Sequence, residues 1–279
     1  MRLILMGTNA WVIPIFERAA NEHEIIAVFT RGPKPIGRKK IITPSPVHEW
    51  AAARGITVHN KVKGFADLGL PPVDYIAVAS YGMILKDDVL NFAPCLNIHP
   101  SKLPAYRGPA PMSTAVYNGD KESEICLMQV AAEVDAGDVY MRRPFAIGEN
   151  DTMRDVESRV GEIASEMLSE FLAAPEKYPA IAQVGEPTFT RKWTSDDEWI
   201  DWSHLRQGSG GQARGARAVH NQVRSIGGRT KINGIDVKIL ETRIANGELE
   251  ILHVQPAGKN PMDWRSFVNG QRGKIELGK

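Results

Sequence analysis

Three polar residues stand out by type and spacing. The segment Leu-Asn-Ile-His-Pro places Asn97 and His99 two residues apart, and Asp135 follows 36 residues after the histidine in Val-Asp-Ala-Gly-Asp. In an extended strand, residues i and i+2 project to the same side, so Asn97 and His99 share one face. Pro100 then stops the strand, leaving both side chains at its carboxyl end. An amide donor beside an imidazole can hold an oxygen that becomes negative and give it a proton. A carboxylate in a glycine-containing turn can face the imidazole and orient it. The same residues are equally accounted for as a strand cap and the start of a turn, and spacing alone does not separate the two readings.

The elements that must position these groups follow from the apolar pattern. Residues 2–6 (RLILM), 24–29 (EIIAVF), 74–79 (DYIAVA) and 95–99 (CLNIH) read as short buried strands. Residues 10–20, 47–53 and 86–92 carry helical spacing between them. This β-α-β rhythm predicts a Rossmann-like parallel sheet with helices on both faces, and ligands at the carboxyl ends of its strands. Two further strand-like runs, 124–130 and 138–147, precede a long helix from Asp151 to about Leu172. Met153, Val156, Val160, Ile163, Met167 and Phe171 form its apolar face, and Asp151 is its expected N-cap. Residues 173–195, with Pro175, Pro179 and Pro187, read as a surface linker. The remainder is small, glycine-rich and β-rich, with one helix near 212–226 and a low-complexity loop at 207–215 (QGSGGQARG). The expected organisation is therefore 1–175, a linker at 176–199, and a second domain at 200–279.

Composition narrows the class. The 279 residues are 43% hydrophobic and 24% charged, which excludes disorder, collagen and coiled coil for the whole chain. No run reaches the ~18 apolar residues of a spanning helix, and the N-terminus reads as a buried strand rather than a secretion signal. Cys95 and Cys126 make no disulfide framework and no metal cluster, so a reduced, cytoplasmic protein is expected; a monomer away from membranes is expected as well. The net charge of +1 gives no global pull toward nucleic acid, so any such pull is local. Two segments could supply it. Residues 31–47 hold Arg31, Lys34, Arg38, Lys39 and Lys40 without an acid, in a loop rich in glycine and proline; residues 206–235 hold six basic residues, among them Arg217 and Arg224, also without an acid. Such segments suit phosphates, and they also serve as ordinary solvated surface.

Asn-x-His-Pro-Ser-x-Leu-Pro, followed by Tyr-Arg-Gly-Pro-Ala-Pro and Val-Asp-x-Gly-Asp, resembles the folate-dependent formyltransferases. The family's motif asparagine, histidine and aspartate match Asn97, His99 and Asp135. Residues 2–9 (RLILMGTN) look like the family's opening strand and turn. Residues 37–47 (GRKKIITPSPV) resemble the basic loop of its tRNA-formylating branch, one residue shorter than usual. Residues 255–259 (QPAGK) and 200–203 (IDWS) resemble markers of its C-terminal domain.

The resemblance implies a formyl donor, 10-formyltetrahydrofolate, and an acceptor amine on methionine esterified to initiator tRNA, with no metal. It implies that Asn97 and His99 stabilise a tetrahedral oxyanion while Asp135 holds His99. It implies folate contacts from Ser80, Tyr81, Gly82, Met83, Ile84 and Leu85, and from Ser101, Lys102, Leu103 and Pro104, with Lys102 where leucine is usual. The tRNA is expected to meet Arg38, Lys39 and Lys40 near its acceptor end, and Arg217 and Arg224 on an OB-like second domain. That domain is expected to be abridged, because the stretch between Ile244 and Glu250 is short where relatives carry more strands. An acceptor of the amino-sugar nucleotide class and a non-catalytic RNA- or folate-binding relative are the alternatives; the residues 37–47 signature argues against the first, and the intact Asn97, His99 and Asp135 against the second.

Overall fold

The apolar run RLILMG forms β1 (Arg2–Gly7), whose residues Leu3, Ile4, Leu5 and Met6 are fully buried. It lies mid-sheet, where both faces of Leu3–Met6 are apolar. A computed structural model describes residues 1–37, 39–203, 211–271 and 275–278. The chain folds into two compact units: Met1–Pro109, Glu124–Phe145 and Glu157–Phe189, and then Ala110–Ser123, Ala146–Val156 and Thr190–Lys279. Among the described residues no helix is long and apolar enough to cross a membrane.

In the first unit, β1 is followed by α1 (Ile13–Glu22), β2 (Glu24–Phe29), β3 (Lys34–Ile36), β4 (Ile41–Thr43), α2 (Pro46–Ala53), β5 (Val58–His59), β6 (Tyr75–Ala79), α3 (Asp87–Leu90) and β7 (Cys95–His99). After α4 (Pro111–Asn118), which belongs to the second unit, come β8 (Glu122–Gln129), β9 (Val139–Ala146) and α5 (Met153–Ala173). Seven strands form one sheet in the order β5-β2-β1-β6-β7-β8-β9. The neighbours from β5 to β7 are parallel, as the alternating pattern predicts, whereas β8 runs antiparallel to β7. The parallel register sets Val78 beside Asn97 and Ala79 beside Ile98.

Two local expectations are corrected. The basic stretch at 31–47 is not wholly loop: Lys34 pairs with Thr43 and Ile36 with Ile41 in the β3–β4 hairpin. The alternating Ile41 and Ile42 supply strand propensity on a two-stranded ribbon outside the main sheet, where Pro35 is tolerated. The N-cap of α5 is Thr152, not Asp151. Thr152 Oγ1 accepts from the Asp155 backbone N–H at 3.3 Å, and the Asp155 carboxylate accepts from Thr152 N at 2.8 Å, a reciprocal capping box. Asp151 instead accepts the Gly148 N–H at 2.8 Å.

In the second unit, α6 (Gly211–Ile226) begins inside the segment expected as loop, and β10 (Gly228–Ile232), β11 (Ile235–Ala245), β12 (Glu248–Pro256), β13 (Met262–Asp263) and α7 (Trp264–Gly270) follow. The four strands form an antiparallel sheet in chain order, and among the described residues no pairing joins β13 back to β10. β11 and β12 are longer than the expected short strands. They meet through Asn246-Gly247, at φ 53° and 82°, the left-handed pair a two-residue hairpin demands. The short stretch after Ile244 is this turn. Val219 and Val223 of α6 pack with Ile232, Val237, Ile239 and Val254 to make the unit's core.

Candidate active site

β7 ends where its residues change from apolar to polar, and Pro100 removes the next ladder donor. The chain then doubles back, with Ser101 N–H on the His99 carbonyl and Leu103 N–H on the Ser101 carbonyl, both at 3.0 Å. His99 is 4% exposed and Asn97 half-buried. Asp135 reaches them from a turn in which its own φ is +50°, a left-handed conformation that costs a non-glycine residue energy and is kept by surrounding contacts. Two residues on, Gly137 lies so close to β8 that an added Cβ would sit 1.9 Å from the Gln129 carbonyl oxygen.

The three residues form one connected group. Asn97 Nδ2 donates to Asp135 Oδ1 at 3.2 Å, and the Gly108 backbone N–H donates to Asp135 Oδ2 at 2.8 Å. His99 Nδ1 faces Asp135 Oδ2 at 3.5 Å, while His99 Nε2 meets the Tyr106 carbonyl at 3.0 Å. Burial holds the His99 imidazole below its ordinary value, opposed by the Asp135 carboxylate and then by the Tyr106 carbonyl. An amide nitrogen carries two hydrogens, so Asn97 retains one for another oxygen after serving Asp135.

The segments expected to meet folate are both on this unit. Residues 80–85 follow β6 and are tied to the β1 turn: Asn9 Nδ2 donates to Ser80 Oγ at 2.8 Å, and Thr8 Oγ1 to the Tyr81 carbonyl at 3.3 Å. Ser80 and Gly82 both have positive φ. Tyr81 is buried with its hydroxyl unpartnered, and burial pushes its pKa up to about 12. Gly82, Met83 and Ile84 are exposed, Ile84 at 82%, and Leu85 is half-buried. In the second segment, Ser101 is buried with its hydroxyl on the Ala105 carbonyl at 2.6 Å, and Leu103 packs with Cys126, Met128 and Val139. Pro104 is half-buried, which leaves Lys102 as the exposed side chain of the four.

The basic residues divide differently from their sequence clusters. Arg38 lies outside the described residues. Lys39 and Lys40 are exposed at the tip of the β3–β4 hairpin, next to the exposed Ile36, Ile41 and Ile42. In the second unit, acids outside the acid-free stretch meet it: Arg217 pairs with Glu149 at 3.0 Å, Arg229 with Glu198 at 2.5 Å and Lys231 with Asp236, just past its end, at 3.4 Å. Arg224, expected on the RNA-facing surface, is half-buried. Its Nη1 donates to the carbonyls of Gly148 and Asp151 at 3.0 and 2.9 Å, and burial lowers its pKa.

Residues not foreseen from sequence also join the site. Tyr106 and Gly108 supply the carbonyl and the N–H just described. Gln183 and Thr188, in the stretch expected as linker, bond to the same segments: Thr188 accepts the Tyr106 N–H on Oγ1 and the Arg107 N–H on its carbonyl, both at 2.9 Å. The proline-rich composition there gave no sign of this.

An amide and an imidazole on β7, joined to one carboxylate, can stabilise an oxygen that becomes negative. The formyl transferase family model matches residues 1–172, and the chain belongs to that family. A methionyl-tRNA formyltransferase of Jannaschia sp. is 32% identical, the match covering 98% of this chain and 97% of the relative. Its alignment spans 307 positions, more than the 279 residues here, so the relative carries segments this chain lacks. Among solved structures, methionyl-tRNA formyltransferase from Clostridium thermocellum is similar with TM-score 0.62 at 16% identity, covering 93% of this chain and all of the other. An N-formyltransferase from Helicobacter canadensis, in complex with folinic acid and dTDP-3-aminofucose, is similar with TM-score 0.62 at 19% identity, covering 88% of each chain. These two likenesses establish the fold.

Proposed function

We propose that this chain transfers the formyl group of 10-formyltetrahydrofolate to the α-amine of initiator methionyl-tRNA, in the cytoplasm. The observation that carries the reading is the Asn97–Asp135–His99 group at the end of β7, in a family member whose full-length relatives are methionyl-tRNA formyltransferases.

The neutral amine attacks the formyl carbon, and the carbonyl oxygen becomes an oxyanion. The free N–H of Asn97 donates to that oxygen, a preorganised donor worth roughly 3–4 kcal/mol, and the positive charge of the His99 imidazolium, whose two N–H groups face Tyr106 and Asp135, stabilises it electrostatically. The amine proton passes to the Asp135–His99 pair, directly or through water, and charges the imidazole. The bond from the formyl carbon to N10 of the folate then breaks, and N10 takes up that proton from the pair. Exposed Met83 and Ile84 supply apolar surface for the pterin, with backbone groups of residues 80–85 and 101–104 as its polar partners. Lys39 and Lys40, with Arg38, are suited to phosphates at the acceptor end, and Arg217 to a more distant part of the tRNA once Glu149 yields. The Arg224 geometry supports holding the second unit together rather than meeting phosphate.

The test is formylation by the purified chain with 10-formyltetrahydrofolate, offering methionyl-tRNA and an amino-sugar nucleotide in parallel. Product on the tRNA alone is expected; product on the sugar alone would replace this reading with the other acceptor class.

A further inference from the structure

Gln183 sits on an irregular segment of the first unit, between the Val139–Ile181 bridge and the Arg107–Phe189 bridge. Its side chain joins three parts of the site. Nε2 donates to the Asp135 carbonyl and to the Gly137 carbonyl, each at 2.9 Å. Oε1 accepts from Arg107 Nε at 3.2 Å and Nη2 at 2.9 Å, and Arg107 Nη1 reaches Glu133 Oε1 at 3.2 Å. A guanidinium has donors only, so the amide oxygen must face Arg107 and the amide nitrogen must face the two carbonyls; the side chain has one orientation. Arg107 is 9% exposed, so the pairing is sheltered from water.

These bonds act where the Asp135 turn needs support. Asp135 is in the left-handed region, and its carboxylate must reach Asn97, His99 and the Gly108 N–H together. Nothing in the side chain of Asp135 fixes its own carbonyl. Gln183 does so, and through Arg107 it ties that carbonyl to the segment whose Tyr106 carbonyl meets His99. We infer that Gln183 is a positioning residue for the transfer, setting the Asp135 carboxylate against His99 by clamping the backbone of residues 135 and 137 to Arg107. The inference rests on the formyl-transfer reading above.

The variants are Gln183→Met, which keeps length and loses every hydrogen bond, and Gln183→Glu, which keeps the Arg107 contact but turns an oxygen toward two carbonyls. Both are made in the full chain, alone and with Asp135→Asn, and assayed on whichever acceptor the wild type uses. Each single variant should lower kcat about tenfold or more while KM for both substrates stays within about threefold, because a misplaced group affects the transition state rather than binding. In the Asp135→Asn background the further loss should vanish. Circular dichroism and thermal melting serve as folding controls, and Gln183→Glu carries the test if Gln183→Met does not fold. A folded variant with wild-type kcat, or an equal loss with and without Asp135→Asn, would overturn the inference. A wild type inactive on every acceptor would count against the formyl-transfer reading instead.

Discussion

The backbone carbonyl of Tyr106 lies 3.0 Å from Nε2 of His99. A carbonyl can only accept, so Nε2 carries the hydrogen, and in the neutral ring Nδ1 is bare. Bare Nδ1 faces Asp135 Oδ2 at 3.5 Å. Burial favours this neutral state at rest. The pair is thus one proton short, and in the proposed transfer the proton released when the amine attacks the formyl carbon would complete it.

Loss of this pair should be felt in turnover. His99→Ala and Asp135→Ala should each lower kcat by at least ~10²-fold, with Asn97→Ala in a similar range, given the usual worth of acid–base and oxyanion groups. Because they act as one unit, the double variant His99→Ala/Asp135→Ala should be little worse than either single one. Single-turnover formylation measures this, with circular dichroism to verify folding; near-normal turnover in folded His99→Ala would remove the mechanism.

Gly137→Ala should damage the site without touching a reacting group. The added carbon would lie 1.9 Å from the Gln129 oxygen, so the turn or β8 must shift. A cost of ~1–3 kcal/mol is expected, as for other overpacked sites. Chemical denaturation should report that loss, together with a kcat reduced well beyond what residual unfolding explains. Unchanged stability and rate would mean the turn yields freely.

Stability should decline as pH falls below about 6.5, the ordinary histidine value. His23, His99 and His220 are all held below it by burial. Each stays neutral in the fold while its unfolded counterpart binds a proton, so acid favours unfolding, and the contribution is intact above that pH. His220 is the clean case: Nε2 donates to the Glu149 carbonyl at 3.0 Å, and Nδ1 is 2.8 Å from Thr242 Oγ1, from which it accepts. Urea midpoints at pH 7.5 and 5.5 should differ less in His220→Gln than in the wild type. An equal difference in both would exclude His220 as a source.

Two kinds of arginine and lysine should separate by experiment. Lys39→Ala/Lys40→Ala should weaken tRNA binding and flatten the dependence of log affinity on log salt by about two phosphate contacts. Melting temperature should hardly move, since both are exposed. Arg224→Ala should do the reverse. Stripping the Gly148 and Asp151 carbonyls of their donor should cost about 1–3 kcal/mol. A stable Arg224→Ala protein with a flattened salt slope would return that residue to the RNA-facing surface.

β2 and β7 begin and end where the sequence reading put them, because each is an apolar run interrupted by a polar or proline boundary. The Asn97–His99 pairing was legible for the same reason, as period two needs no knowledge of neighbours. α4 was not foreseen, although Pro111 at its start and Gly119 just past its end are the usual marks; the eight residues between are too few for a clear period. The ion pairs of Arg217 and Arg229 were hidden because their acids lie on segments far along the chain. Gln183 is the extreme case. An uncharged residue between alanine and valine carries no local signal, and its role exists only once Arg107 and Asp135 have come together.

The hydrogen bonds from Gln183 and Thr188 also impose an order in time. Protein chains are made from the N-terminus, and compact regions begin to fold as they emerge. Asn97, His99 and Asp135 all precede α5, as do Tyr106 and Gly108, whereas Gln183 and Thr188 follow it. A nascent chain halted at Ala173 would hold the three polar groups without the Gln183 and Thr188 bonds to the turns beside them. On the proposed reading, competence for transfer therefore arrives only after residues 183–188 have emerged.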